Sequence, residues 1–353
     1  MPAYNSNNVP IRKVDMNDFN FRVSLQTEQD FHTGTGIASS IISKWRDSKK
    51  LLRLINRVRF SHPIYPIFAD ISIVKTSMRK NYIPIPKYTI QDAGVLDNIE
   101  NYEIELEIYN TRVGNATEYN NVDVLLQDLR KCVRVVLSGL QQTNYPVSYQ
   151  ECSNVLDEYM KVVHGDNVPD SRITSKHFIG PSSYTLQMEN IIPQLEDNVT
   201  PNIRKDFTVT DKADGERMLC FVNGIGKIYF IDTNMNVRFS GAITNNNRIM
   251  SSIIDGEFIQ RDKHGNEINV YAAFDIYCVN NKSLRSLPFY SKELLSNDDI
   301  TEEGEIVESE SRYLKLGEFI RKLRPISILD KSQEQEVKRD DTEIKANVRF
   351  QIK

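Results

Sequence analysis

The sequence predicts an α+β chain of two domains, and three observations carry that expectation. At 353 residues the chain is long enough for two separate cores. Short strand-like stretches occur in both halves, alternating apolar and polar residues with period two in the first and running apolar in the second. Between these strand groups lie two segments with apolar residues at three- and four-residue spacing, the period of helices with one buried face.

Composition narrows the class. Hydrophobic residues make up 40% of the chain and charged residues 26%, ordinary proportions for a globular protein. The formal net charge of −4 gives no global attraction to nucleic acid, so any RNA contact has to come from local basic surfaces. Cys132, Cys152, Cys220 and Cys278 are widely spaced and read as buried thiols in a reducing compartment. No apolar run approaches membrane-spanning length and no signal-peptide pattern opens the chain. A soluble, cytoplasmic protein with no membrane partner is expected.

Taken in order, residues 1 to about 20 are polar and Asn-rich, and Phe21–Leu25 alternates like a strand. Gly34-Thr35-Gly36 lacks the Gly-Lys-Ser/Thr of a phosphate loop and is expected to be a turn. Leu51–Phe60 reads as a strand with Arg53, Ile55, Arg57 and Arg59 on one face, a spacing suited to a polyphosphate. Ile67–Val74 places Phe68, Asp70, Ser72 and Val74 on a face, and an Asp among isoleucines requires a partner. Tyr102–Tyr109 alternates strictly, with Glu103, Glu105 and Glu107 on one side and Ile104, Leu106 and Ile108 on the other. Stacked carboxylates of this kind either hold a hard cation or form a solvated acidic face. Two core-packing helices are expected next, one using Val122, Leu125, Leu126, Leu129, Val133, Val136, Leu137 and Leu140. The other runs over about 148–163, with Val155, Leu156, Tyr159 and Met160 inward. A further helical pattern lies near Tyr313–Leu323, after an acidic stretch from Asp298 to Glu310.

The chemistry concentrates in Lys212-Ala213-Asp214-Gly215-Glu216-Arg217, flanked by apolar stretches at Phe207–Thr210 and Met218–Val222 that both read as strands. A lysine amine can attack an α-phosphate, a glycine lets backbone and phosphate approach, and an arginine can hold ribose or phosphate. Two later strands add Asp255-Gly256-Glu257 and Phe274-Asp275. In this order the three motifs resemble those of the covalent nucleotidyltransferases, which comprise mRNA guanylyltransferases and ATP-dependent DNA and RNA ligases. The Arg57/Arg59, Asp70/Ser72 and Glu103/Glu105/Glu107 strands resemble the metal-dependent tunnel RNA 5′-triphosphatases. Together they resemble the bifunctional mRNA-capping enzymes of large cytoplasmic DNA viruses, over roughly Phe21–Phe289.

That resemblance implies a triphosphatase-tunnel β-barrel of eight strands over residues 1–178 and a nucleotidyltransferase-fold antiparallel-sheet domain over 179–353. Glu103, Glu105 and Glu107 would be ligands of Mg2+ or Mn2+, Arg57 and Arg59 phosphate clamps, and Asp70 and Ser72 residues of the tunnel wall. Lys212 would carry GMP taken from GTP, in a pocket that desolvates its amine. Arg217 would contact ribose or phosphate, Glu257 ribose or metal, and Phe274 the guanine, with Asp214, Gly215 and Asp275 also at the nucleotide. The implied partners are 5′-triphosphate RNA, GTP and a cap methyltransferase domain or subunit. No paired Glu-x-Glu precedes Phe21, where Glu28 stands alone. No Asp-Gly strand, lysine-bearing strand or OB-fold lid follows the Phe-Asp pair. An interior portion of a capping enzyme that labels poorly by itself is therefore expected. An ATP-dependent ligase and a non-catalytic scaffold are the alternatives.

Overall fold

The computed structural model describes residues 3–4, 6–27, 31–32, 34–193, 200–204, 207–290, 311–329 and 348–353. Glu28 and the acidic Asp298–Glu310 stretch lie outside the described residues. The chain divides into two compact units, Met1–Leu140 and Gln141–Lys353.

In the first unit, β1 (Val14–Met16) and β2 (Phe21–Val23) make an antiparallel hairpin. The Gly34-Thr35-Gly36 stretch opens helix α1 (Gly36–Ser43) and does more than turn the chain, because the Thr35 hydroxyl accepts from the Ala38 amide at 3.3 Å as an N-cap. Next come β3 (Arg53–Ser61), β4 (Ile67–Thr76), the small hairpin of β5 (Arg79–Lys80) and β6 (Ile83–Pro84), and β7 (Asn101–Ile108). Strands β3, β4 and β7 form a three-stranded antiparallel sheet in that order. Its register pairs Arg57 with Ser72 and Arg59 with Asp70, then Ser72 with Glu103 and Asp70 with Glu105. Alternation therefore delivers all the predicted basic and acidic side chains to one face. The expected eight-stranded tunnel is not formed by the described residues, since three strands cannot close on themselves. Helix α2 (Val122–Gln141) also differs from expectation. Only Asp128 and Leu137 are buried on it, while Val122, Leu126 and Leu140 remain exposed.

The second unit is a layered structure. Helix α3 (Tyr149–His164) is capped by the Ser148 hydroxyl, which accepts from the Glu151 amide at 3.0 Å. The sheet consists of β8 (Glu216–Val222), β9 (Lys227–Asp232), β10 (Val237–Ile243), β11 (Ser252–Arg261), β12 (Glu267–Val279), β13 (Lys282–Ser283), β14 (Ile326–Ser327) and β15 (Arg349–Ile352). Its order is β13-β12-β11-β8-β9-β10-β14, and β15 adds to β12 in parallel. Helix α4 (Arg312–Leu323) lies on the second face. Val155, Tyr159 and Met160 of α3 pack with Leu219, Phe221, Tyr229 and Ile253 on one face. Leu316, Phe319 and Leu323 of α4 pack with Met218, Cys220, Ile254 and Tyr271 on the other. Covering both faces explains why β8 reads as a continuous apolar run with no alternation. The division after Leu140 lies well before the boundary expected at 178, because α3 buries its apolar stripe on the second unit's sheet. All four cysteines are free thiols, with Cys220 and Cys278 buried.

Candidate active site

The site assembles where β8, β11 and β12 lie side by side. Residues 207–214 are irregular and Val209 is almost fully exposed, so the strand expected before the lysine does not form. Lys212 stands on this irregular arm, its side chain 88% exposed and its amine 3.8 Å from Asp214. The desolvating pocket expected around it is absent from this arrangement. Gly215 joins the arm to β8. A β-carbon there would lie 2.9 Å from the Phe258 carbonyl oxygen, so only glycine lets the arm run this close to β11.

Arg217 is the first anchored side chain. Its Nε and Nη2 donate to the two carboxylate oxygens of Asp255 at 3.2 and 2.6 Å, and its Nη1 donates to the Pro181 carbonyl at 2.6 Å. Asp255 is fully buried and also accepts from the Tyr277 hydroxyl at 2.7 Å. Hydrogen bonding to Asp255 raises the Arg217 pKa above its ordinary value. Burial, then the Asp255 charge, pushes the Tyr277 phenol up, so it stays a donor. The guanidinium also lies 5.5 Å from the Phe178 ring and 5.7 Å from the Phe274 ring, within cation–π range. Gly180 leaves room for this cluster, because a β-carbon there would fall 2.6 Å from Arg217.

Two bulges in β12 aim the aromatic residues. The register steps from Asp255–Asp275 to Gly256–Ala273 and from Ile253–Cys278 to Ile254–Ile276, which leaves Phe274 and Tyr277 as the extra residues. A bulge turns a side chain away from strict alternation, and here it brings Phe274 to Arg217 and the Tyr277 hydroxyl to Asp255. Asp275 faces elsewhere. It is held by Arg312 of α4 at 2.8 and 3.1 Å, which makes it a structural tie to that helix. Gly256 is required by the Tyr271 ring, which a β-carbon would approach to 2.7 Å.

Glu257 pairs with Arg217 across β11 and β8. Among the described residues its Oε2 is a buried side-chain oxygen with no hydrogen-bond partner. The nearest cation is Lys353, whose Nζ lies 3.6 Å away and 5.5 Å from the Phe274 ring centroid. Lys353 is placed by β15, which runs beside β12 so that the Lys353 amide donates to the Ala273 carbonyl at 2.8 Å. A lysine just past the end of a short added strand therefore reaches this cluster, although no Lys-x-Lys strand is present among the described residues. An aromatic face, two cations and a buried carboxylate oxygen that lacks a hydrogen bond can together take a base, phosphates and a ribose hydroxyl.

The charged face of the first unit is internally paired. Arg59 donates to both oxygens of Asp70 at 2.7 Å. Arg57 reaches Asp70 at 3.0 Å, Ser72 at 3.0 Å and Glu105 at 2.7 Å. Arg53 takes Glu103 at 2.7 Å, and Glu107 is exposed at the end of the row. Hydrogen bonding to Arg59 holds the Asp70 carboxyl below its ordinary range. Among the described residues no three Asp, Glu, His or Cys side chains converge as a metal site would require. With Glu103 and Glu105 each on an arginine, the three predicted ligands do not fit a resident Mg2+ or Mn2+ as they stand.

Sequence reading named Lys212, Arg217, Glu257 and Phe274 as candidates; it did not connect Asp255 with Arg217, and it did not name Tyr277, Phe178, Arg312 or Lys353. The alternation of Val348–Lys353 was the available indication for the last of these.

A helix-backed antiparallel sheet presenting these groups at one end defines a nucleotidyltransferase-type domain. Residues 138–349, more than half of the chain, match the family described as mRNA capping enzyme, catalytic domain, and the chain belongs to that family. It is similar to a probable mRNA-capping enzyme of Acanthamoeba polyphaga mimivirus, with 28% identity over 176 residues, which covers 50% of this chain and 12% of the relative. The chain thus spans a small part of that relative's length. Among the described residues no helix is long and apolar enough to cross a membrane.

Proposed function

We propose that the second unit transfers GMP from GTP to the 5′-diphosphate end of RNA through a covalent intermediate on Lys212. The observation that carries this reading is the cluster beside the Lys212 motif, where Phe274, Arg217, Lys353 and the Glu257 oxygen that lacks a hydrogen bond meet. Phe274 stacks on the base, Glu257 accepts from a ribose hydroxyl, and Arg217 with Lys353 holds phosphate oxygens. The neutral Lys212 amine, having released a proton to solvent, attacks the α-phosphorus. A P–N bond forms, the α–β phosphoanhydride bond breaks and pyrophosphate leaves. The RNA diphosphate oxygen then displaces the lysine nitrogen and restores the amine. The Lys212 side chain is 88% exposed, so its amine is open to an incoming nucleotide and then to the RNA end. Divalent metal is a general requirement of this class of transfer.

Incubation of the chain with labelled GTP or ATP and Mg2+ tests this. Any acid-labile, base-stable label on the protein, weak or strong, should come from GTP and not from ATP. Lys212→Ala and Lys212→Arg should both abolish it, because a guanidinium stays protonated. Equal labelling by ATP would favour a ligase, and label surviving Lys212→Ala would sink the covalent step.

A second reading, γ-phosphate release from triphosphate RNA by the first unit, rests on the shared face of Arg57, Arg59, Asp70, Ser72, Glu103, Glu105 and Glu107. It predicts that Glu105→Ala abolishes phosphate release and leaves Lys212 labelling intact. Unchanged release would make this face a paired structural surface.

A further inference from the structure

The segment Ser43–Lys50 combines features that neither the transfer pocket nor the paired arginine face uses. Between residues 44 and 50 it carries Lys44, Arg46, Lys49 and Lys50 against the one acid Asp47, in a chain of net charge −4. Trp45, the single tryptophan of the sequence, is 53% exposed, and Tyr88 is 48% exposed. An apolar ring of that size left half in water is a candidate contact surface.

The two rings are held on one platform. The Lys50 ammonium donates to the carbonyls of Trp45, Ser48 and Tyr88 at 2.6, 2.8 and 3.0 Å. The Lys50 and Lys87 backbones exchange hydrogen bonds at 2.9 and 3.0 Å. Lys50 lies 4.8 Å from the Trp45 ring centroid and Lys49 lies 5.7 Å from that of Tyr88. Ile42, Ser43, Trp45, Arg46 and Asp47 line a surface cavity of about 400 Å³. Lys44 and Arg46 are exposed.

We propose that this platform binds single-stranded RNA, with unpaired bases stacking on Trp45 and Tyr88 and phosphates meeting Lys44, Arg46 and Lys49. Preformed aromatic rings interleaved with cations are what sequence-tolerant binding of a single strand requires, since every base has a π-face and every linkage a charge. The choice of RNA over another polyanion rests on the proposed capping function. The geometry itself does not depend on Lys212. The platform would hold the body of a transcript near its 5′ end, separately from the group-transfer chemistry.

Because Trp45 is the sole tryptophan, emission excited at the red edge of the absorption band, where tyrosine absorbs little, reports on this site alone. Titration with a ten-nucleotide oligoadenylate should quench it saturably, with a log–log salt slope of about −2 for three phosphates. Inorganic polyphosphate and phosphatidylserine vesicles should not quench it. In anisotropy with labelled RNA and no GTP, Trp45→Ala should bind about tenfold more weakly and Trp45→Phe close to wild type. Labelling of Lys212 by GTP should be unchanged in Trp45→Ala, so failure of the transfer reading and failure of this one are separable. Absence of quenching by RNA, equal quenching by polyphosphate or by vesicles, or undiminished RNA binding by Trp45→Ala would each overturn the proposal.

Discussion

Replacing Tyr277 by Phe removes one hydroxyl from the carboxylate that fixes Arg217 and changes little else in shape. A hydrogen bond to a charged acceptor contributes about 1.5–3 kcal/mol, so Tyr277→Phe should lower the melting temperature by a few degrees and raise the KM for GTP. Asp255→Asn should cost more, about 3–5 kcal/mol, because it leaves a largely buried guanidinium without its countercharge. Thermal melts beside steady-state labelling kinetics would separate the two effects. Gly215→Ala should reduce labelling with little change in melting temperature if the arm gives way, since its β-carbon meets the backbone of Phe258. At this scale the sequence showed which residue types were chemically able. It could not show that Asp255, inside the recognised Asp-Gly-Glu triplet, serves Arg217, because that pairing depends on the β8–β11 register and on Tyr277 arriving from a third strand.

Among the elements, β4 offers the clearest dependence on pH. Asp70 is held below its ordinary value first by its hydrogen bonds to Arg59, with Arg57 adding to the effect. Its folded pKa thus lies under the unfolded value of about 3.9, so its contribution to stability is complete above that value and is lost as pH falls through the lowered one. Melting followed from pH 6 down to pH 2 should show this loss below about pH 4. Asp70→Asn should be less stable at neutral pH and show a flatter acid limb. The strict alternation of β7 and the basic face of β3 were legible because a period of two survives any tertiary context. The number of strands in the sheet was not legible, since closure depends on partners that periodicity does not name. Helix α2 illustrates the same limit, with a clear stripe that is mostly left in water.

For the whole molecule, the division after Leu140 makes residues 141–353 a candidate for independent folding with α3 included. That fragment should unfold cooperatively and bind GTP with the affinity of the full chain in calorimetry. A fragment starting at residue 179 should not fold, because it would uncover the face that Val155, Tyr159 and Met160 bury. A loss of GTP affinity in 141–353 would show that the first unit contributes to the pocket. The sequence expectation placed α3 before the junction, whereas the compact units group it with the second sheet, and the difference has a physical reason. Apolar spacing declares that a helix needs a sheet to cover, and says nothing of which sheet.

The extra residues of β12 carry one more consequence, for changes of length. Deleting Phe274 would let Ala273 and Asp275 follow one another in an unbroken ladder opposite Gly256 and Asp255, so the sheet would lose an irregularity and keep its pairing. The same deletion removes the ring that Arg217 and Lys353 flank. At this position a shortened chain should fold at least as readily as the original and bind nucleotide far less well, the inverse of what is usual for a lost residue in the middle of a buried strand.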